Sequence, residues 1–151
     1  EYLRDVSEEA FFSQIAKVRQ ACQDRAVLRA LHFFAENKRV SQQASALMSG
    51  DMDGFLRAVQ ASGDSSYKFL QNVYACHEPQ HQSISVALAV SEKILKGQGV
   101  CRVHGGGFAG TIQAFVPDAI VPRYKANIET VFGKDTCHVL KIRPDGGRKV
   151  L

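Results

Sequence analysis

The sequence predicts an α+β domain in which a helical layer packs against a mostly antiparallel sheet of three to four strands. Three observations predict it. Apolar residues recur at helical spacing through the first half of the chain, the period changes to that of strands after Gly99, and a helical pattern then separates strand-like runs. With 151 residues, 45% of them hydrophobic and 23% charged, the chain is expected to be a single domain burying about two thirds of its unfolded surface.

The elements follow in order. Ser7 is placed to cap a first helix with Glu8 and Glu9 in its first turn, and Phe11, Ile15, Val18 and Cys22 recur on one face. A second and longest helix runs from Asp24. It directs Val27, Ala30, Leu31 and Phe34, then Val40, Ala44, Leu47 and Met48, inward until Gly50 offers a left-handed stop. Asp51 caps a third helix with Met52, Phe55, Leu56 and Val59 on one side, ending near Gly63. Residues 63–81 are polar and weakly periodic, and are expected to form a loop-rich connection with a helical turn or two between Tyr67 and Tyr74.

A clearer helix begins at about Gln80, with Ile84, Ala87, Leu88, Ser91 and Leu95 along one stripe, and Gly97 and Gly99 end it. Residues 99–104 and 111–116 read as two strands joined by glycines in a hairpin-like connection. Residues 118–132 are helical, with Pro122 tolerated near the start and Gly133 after the end. Residues 137–142 are expected to form a third strand, and the turn Arg143-Pro144-Asp145-Gly146-Gly147 to lead toward a short fourth.

Composition narrows the function classes. The net charge of +4 is concentrated between Lys134 and Lys149 and would welcome an anion. Without an arginine-rich helix or a ribonucleoprotein aromatic signature, however, no nucleic-acid partner is expected. No run approaches the roughly 18 apolar residues of a membrane span, and no basic-then-apolar leader opens the chain, so no membrane partner and a cytoplasmic location are expected. A start at Glu1 rather than Met reads as a processed or truncated polypeptide. Cys22, Cys76, Cys101 and Cys137 form no C-x-x-C pair and are expected as reduced thiols. Cys76, His77 and His81 are too few and too irregular for a closed zinc site, so no metal site is assigned. Cys101 and His104, three apart on a strand, fall on opposite faces and cannot form a nucleophile pair.

The chemistry concentrates in Gly105-Gly106-Gly107-Phe108-Ala109-Gly110. This stretch satisfies G-x-G-x-x-G after a strand. The dinucleotide fingerprint, however, requires a helix immediately afterward to receive the pyrophosphate, and Thr111-Ile112-Gln113-Ala114-Phe115-Val116 is strand-forming. No Gly-Lys-Ser/Thr follows, which excludes a Walker loop. Two readings stay open. Successive amides at positive φ make an anion-binding concavity, or the glycines simply turn the chain, which is the commoner solution. Arg102 and His104 share a face and could receive negative charge beside the loop, although a structural histidine is an equal alternative. Phe108 is expected to anchor the loop in the core rather than line a cleft. His32 and Glu36, one turn apart, are placed for a local pair. Arg29, Glu36 and Arg39 read mainly as a solvated helix face, with an interdomain surface as the sharper alternative, and Phe33 and Phe34 as core.

Arg102-Val103-His104-Gly105-Gly106-Gly107-Phe108-Ala109-Gly110 resembles the third motif of the galactokinases, approximately Arg-Met-Thr-Gly-Gly/Ala-Gly-Phe-Gly-Gly. These enzymes belong to the superfamily of small-molecule kinases named after galactokinase, homoserine kinase, mevalonate kinase and phosphomevalonate kinase. A second run, Arg29-Ala30-Leu31-His32 through Glu36, Arg39 and Val40 to Gly50-Asp51, is similar to the family's Arg-Ala-x-His-x-x-x-Glu-x-x-Arg-Val and its following Gly-Asp. The resemblance is good over residues 25–116. It implies that residues 1–151 form a ferredoxin-like carboxy-terminal domain whose glycine loop borders the active-site cleft.

The same resemblance implies that the catalytic Asp, most sugar-binding residues and the phosphate loop come from an amino-terminal kinase domain not contained in this sequence. It assigns no catalytic residue to these 151 positions. ATP and Mg2+ would serve the full chain, with a small-molecule sugar and the amino-terminal domain as partners, and the 151 residues alone would bind ATP weakly and turn over nothing. Three features depart from the pattern: His104 stands for Thr, Ala109 for Gly, and YKFLQNVYACHEPQHQ replaces the family's Asp-Tyr-x-Val-Ser-x-Pro-Glu-Leu-Asp-like segment. The expected function is therefore a sugar 1-kinase in the full chain. The alternatives are a non-catalytic sugar/ATP sensor or protein-binding module of galactokinase descent and, more weakly, a module that takes an acidic partner on its basic tail.

Overall fold

The computed structural model describes residues 2–108, 110–142, 145 and 149. Among them, five α-helices and two strands follow the predicted order: α1 Glu8–Ser13, α2 Ile15–Ser49, α3 Met52–Ser65, α4 Ser83–Leu95, β1 Val100–Val103, β2 Ile112–Phe115 and α5 Val121–Phe132. The chain is α+β, as the change of period requires.

The caps fall where side-chain chemistry puts them. Ser7 accepts from the Ala10 amide at 3.1 Å, and Asp51 accepts from the Gly54 amide at 2.8 Å, each satisfying an orphan donor of a first turn. Gly50 closes α2 at φ 72°, while the Asp51 amide reaches back to the Ala46 carbonyl at 2.8 Å. The predicted first helix is divided. Gln14 departs from helical geometry between α1 and α2, and Gln23, at φ 67° and ψ 172°, breaks α2 one residue before Asp24. Pro122 is the second residue of α5, where its missing N–H costs no hydrogen bond.

β1 and β2 pair antiparallel in the register Val100↔Phe115, Cys101↔Ala114, Arg102↔Gln113 and Val103↔Ile112. The alternation of side chains sends Cys101, Val103, Ile112 and Ala114 to one face. There they join Val73 and the stripes Ile84, Leu88 and Leu95 of α4 and Tyr124 and Ile128 of α5 in one core. A buried bond of 2.7 Å between Ser91 and Tyr124 ties these two helices together. The opposite face carries Arg102 and Phe115 and is covered by α3: Phe55 meets Phe115 edge to face, and a Cβ on Gly63 would lie 2.9 Å from the Arg102 Cβ. A second core of Phe11, Val27, Ala30 and Phe34 joins α1 to α2.

Three expectations are corrected. Two strands are formed among the described residues, not three to four, and this short ribbon does not make a ferredoxin-like sheet. Residues 137–142 lie outside any strand. Val139, Leu140 and Ile142 are 62%, 86% and 94% exposed, so strand-forming residue types find neither a ladder nor a buried face to pack on. The predicted fourth strand lies almost wholly outside the described residues. Along α2, Val27, Ala30 and Phe34 are buried as the period requires, but Val40, Leu47 and Met48 are exposed and Ala46 is the buried residue of the last turns. Finally, α3 continues two residues past Gly63 to Ser65, and the helical turn expected within the loop-rich connection is a π turn at Ser66–Leu70.

Candidate functional site: the glycine hairpin and its supports

Just beyond β1 the His104 amide donates to the Thr111 carbonyl at 3.1 Å, closing the hairpin around residues 105–110. Gly105, Gly107 and Gly110 have φ of 66°, 73° and 81°, a region in which a Cβ is strained. Gly105, Gly106 and Gly110 face open space. Gly107 does not. A Cβ there would sit 2.1 Å from the Asn72 carbonyl oxygen and 2.6 Å from its Nδ2, so only glycine permits this approach. The Phe108 amide donates to the same carbonyl at 3.0 Å, and Asn72 Nδ2 donates to the Gly106 carbonyl at 3.3 Å.

Phe108 is not the expected core anchor. At φ 54° it is 52% exposed, and the anchoring is done by main chain instead. Ala109 lies outside the described residues. The chain leaves the loop into β2 rather than into a helix, which removes the helix N-terminus that a dinucleotide pyrophosphate would need.

The upstream motif supplies the supports. Glu36 on α2 receives the hydroxyl of Ser62 on α3 and lies 3.5 Å from Arg102 Nη1 on β1; Arg102 also donates to Ser62 and, through Nε, to the Val103 carbonyl at 3.1 Å. Arg39 Nε stands 3.4 Å from the other Glu36 oxygen. One turn earlier, His32 Nδ1 bonds Ser65 Oγ at 2.9 Å. Burial pushes the His32 pKa down; Glu36 opposes that shift, and Arg39 and Arg102 add to it.

These contacts revise two readings. Arg102, which the sequence allows to receive negative charge beside the loop, is committed to an internal ion pair. Glu36 and Arg39, expected mainly as a solvated face, are largely buried, and the predicted His32–Glu36 pair gives way to separate bonds onto α3. Arg29, by contrast, lines an open cleft with Arg25, His32 and Phe33. His104 is exposed at the mouth of the hairpin.

What the residue types concealed is the segment from Ser62 to Val73. Ser62, Ser65, Ser66, Asn72 and Val73 are all buried to 4% exposure or less. The π turn, closed by the Gln71 amide on the Ser66 carbonyl at 2.7 Å, ends in left-handed Gln71 and turns Asn72 inward. Small polar residues read as loop by type. Their spacing, Ser62 with Ser65 and Ser66, is nevertheless that of one helix face, and it was the available signal.

Chemically, the hairpin offers backbone groups and open space rather than a reacting side chain. The nearest thiol, Cys101, is buried and its pKa is pushed up to about 11. Among the described residues no group of three or more His, Cys, Asp or Glu is arranged to hold a metal, and no helix is long and apolar enough to cross a membrane. Near the rejected metal cluster, His81 lies 3.6 Å from Glu78.

Comparison with known proteins adds kinship to geometry. The chain is 31% identical over 134 residues to a galactokinase of Actinobacillus pleuropneumoniae, covering 89% of this chain and 33% of that protein. It is also 31% identical over 134 residues to a galactokinase of Haemophilus influenzae, with the same coverage. No protein-family model matches, and no solved structure does. The chain spans about a third of the length of these curated relatives. It is thus similar to galactokinases through most of its own length, matching one third of theirs.

Proposed function

We propose that residues 1–151 are the carboxy-terminal domain of a galactokinase-like, ATP-dependent sugar 1-kinase of the cytoplasm. The observation that carries this reading is the glycine hairpin. In a chain related to galactokinases over 89% of its length, the hairpin lies open on one side and is held by the second matching motif on the other. Its exposed backbone at Gly105 and Gly106 borders a cleft shared with an amino-terminal kinase domain, which supplies the catalytic carboxylate and most sugar contacts. Mg-ATP supplies the phosphoryl group when bound. This chain's part is to shape one wall: Arg102 and Glu36 brace the hairpin base, Asn72 its middle, and His104 stands at its mouth. Positioning and charge stabilisation dominate such transfers, so a wall without a base is a sufficient contribution.

A polypeptide joining this chain to the rest of a galactokinase-length sequence is expected to form galactose 1-phosphate from galactose and ATP, while the 151 residues alone form none. Substantial turnover by the 151 residues overturns the assignment. Sugar and ATP binding by the longer polypeptide without any product overturns it in favour of the sensor reading, which the replaced segment around Tyr67 motivates.

A further inference from the structure

We infer that Asn72 is the positioning residue of the glycine hairpin, setting the shape of residues 106–108 and through it the affinity for the nucleotide; the second half of this inference rests on the kinase reading. Three contacts converge on Asn72. Its carbonyl accepts from Phe108 N–H, its Nδ2 donates to the Gly106 carbonyl, and its Cβ lies 2.8 Å from where a Gly107 Cβ would stand. Asn72 is 4% exposed, and its Oδ1 is buried with no hydrogen-bond partner among the described residues.

Burying an amide with one end unsatisfied is unfavourable, so the donor end must offset that cost through what it holds. What it holds is a run whose conformational freedom is otherwise large, since two glycines and a left-handed Phe108 have no side-chain anchor. Asn72 is itself fixed from outside the loop. The π turn and left-handed Gln71 deliver it, and Ser62 and Ser65 tie the preceding helix to Glu36 and His32. The amides of the hairpin are thereby pre-organised before any ligand arrives, which is how such a loop gains affinity.

The residue type is specific to the task. Asp in the same place keeps the shape but turns an acceptor toward the Gly106 carbonyl. Ala removes the donor and leaves the main-chain bond to Phe108.

The test has two arms. In the 151-residue chain, Asn72→Asp is expected to speed hydrogen exchange of the Phe108 amide about tenfold, the worth of one lost hydrogen bond, while the Arg102 amide in β1, which faces Gln113 across the ladder, keeps its wild-type protection. Asn72→Ala, the safer variant for folding, is expected to act in the same direction. In the galactokinase-length polypeptide, calorimetry with Mg-ATP is expected to show the dissociation constant raised about tenfold by Asn72→Asp, with sugar affinity unchanged. Unchanged Phe108 exchange in both variants overturns the inference, as does faster exchange with unaltered ATP affinity. Loss of protection at Arg102 and Phe108 together, in both variants, also overturns it, because it marks general destabilisation. A wild-type polypeptide that binds no ATP sinks the kinase reading, whereas one that binds ATP as tightly as its Asn72→Asp variant sinks this inference alone.

Discussion

Removing the Glu36 carboxylate is the sharpest perturbation of the link between the two motifs. Glu36→Ala leaves two guanidinium groups, those of Arg39 and Arg102, and the Ser62 hydroxyl facing a space that held the negative charge they share. The side chains of Glu36, Arg39 and Arg102 are 22%, 12% and 23% exposed, so they lie far nearer the buried limit than the solvated one. Breaking a buried pair costs about 3–5 kcal/mol and a surface pair about 0–1, which places Glu36→Ala at roughly 2–4 kcal/mol. For a chain of this size that is a fall in Tm on the order of 10 °C.

Urea unfolding followed by circular dichroism measures it, with Arg19→Ala as a control because Arg19 and Asp24 are 68% and 70% exposed. The control is expected to leave the midpoint in place. A double-mutant cycle of Glu36→Ala with Arg102→Ala is expected to show a coupling of about 1–3 kcal/mol, since the second change removes a charge already stranded by the first. A loss below about 0.5 kcal/mol for Glu36→Ala, or additive single effects, refutes the claim that this cluster braces the hairpin.

Two further outcomes follow from buried titratable groups. His32 has its folded pKa pushed below the ordinary value by burial, so the unfolded chain takes up this proton first as pH falls. Its contribution is complete above the unfolded value near about 6.5 and is lost as pH falls through it toward the lowered folded value. The drop in urea midpoint between pH 7.5 and 5.5 should therefore be smaller in His32→Gln than in wild type, and equal drops refute the assignment. Exposed Cys22 and Cys76 are expected to react with an aromatic disulfide reagent at pH 8 long before buried Cys101, whose thiol is raised to about 11. Modification of Cys101 in the folded chain at the rate of Cys76 contradicts its burial beneath α4.

Helix caps, glycine stops and the helical stripe of α4 were legible because each depends on residues within a turn or two of one another. Ser7, Asp51, Gly50 and Pro122 act through neighbours that lie three or four positions away. The hairpin was legible for a related reason: strand-forming types on both sides of a glycine run leave few ways to connect them. The third strand failed because a strand is completed by a partner, and residues 137–142 name none. The exposed Val40, Leu47 and Met48 failed likewise, since helical period marks a face but does not guarantee an element to cover it.

By itself, then, the sequence determined the α+β class, the order of its elements, the open glycine turn and the kinship those glycines carry. The tertiary structure alone decided what each glycine is for and what each charge does. Gly107 answers to Asn72, thirty-five positions upstream, and Arg102 to Glu36, sixty-six positions upstream. The reason is physical: backbone conformation is written in local residue types, whereas a buried polar side chain takes its role from whichever partner folding brings within about 3 Å.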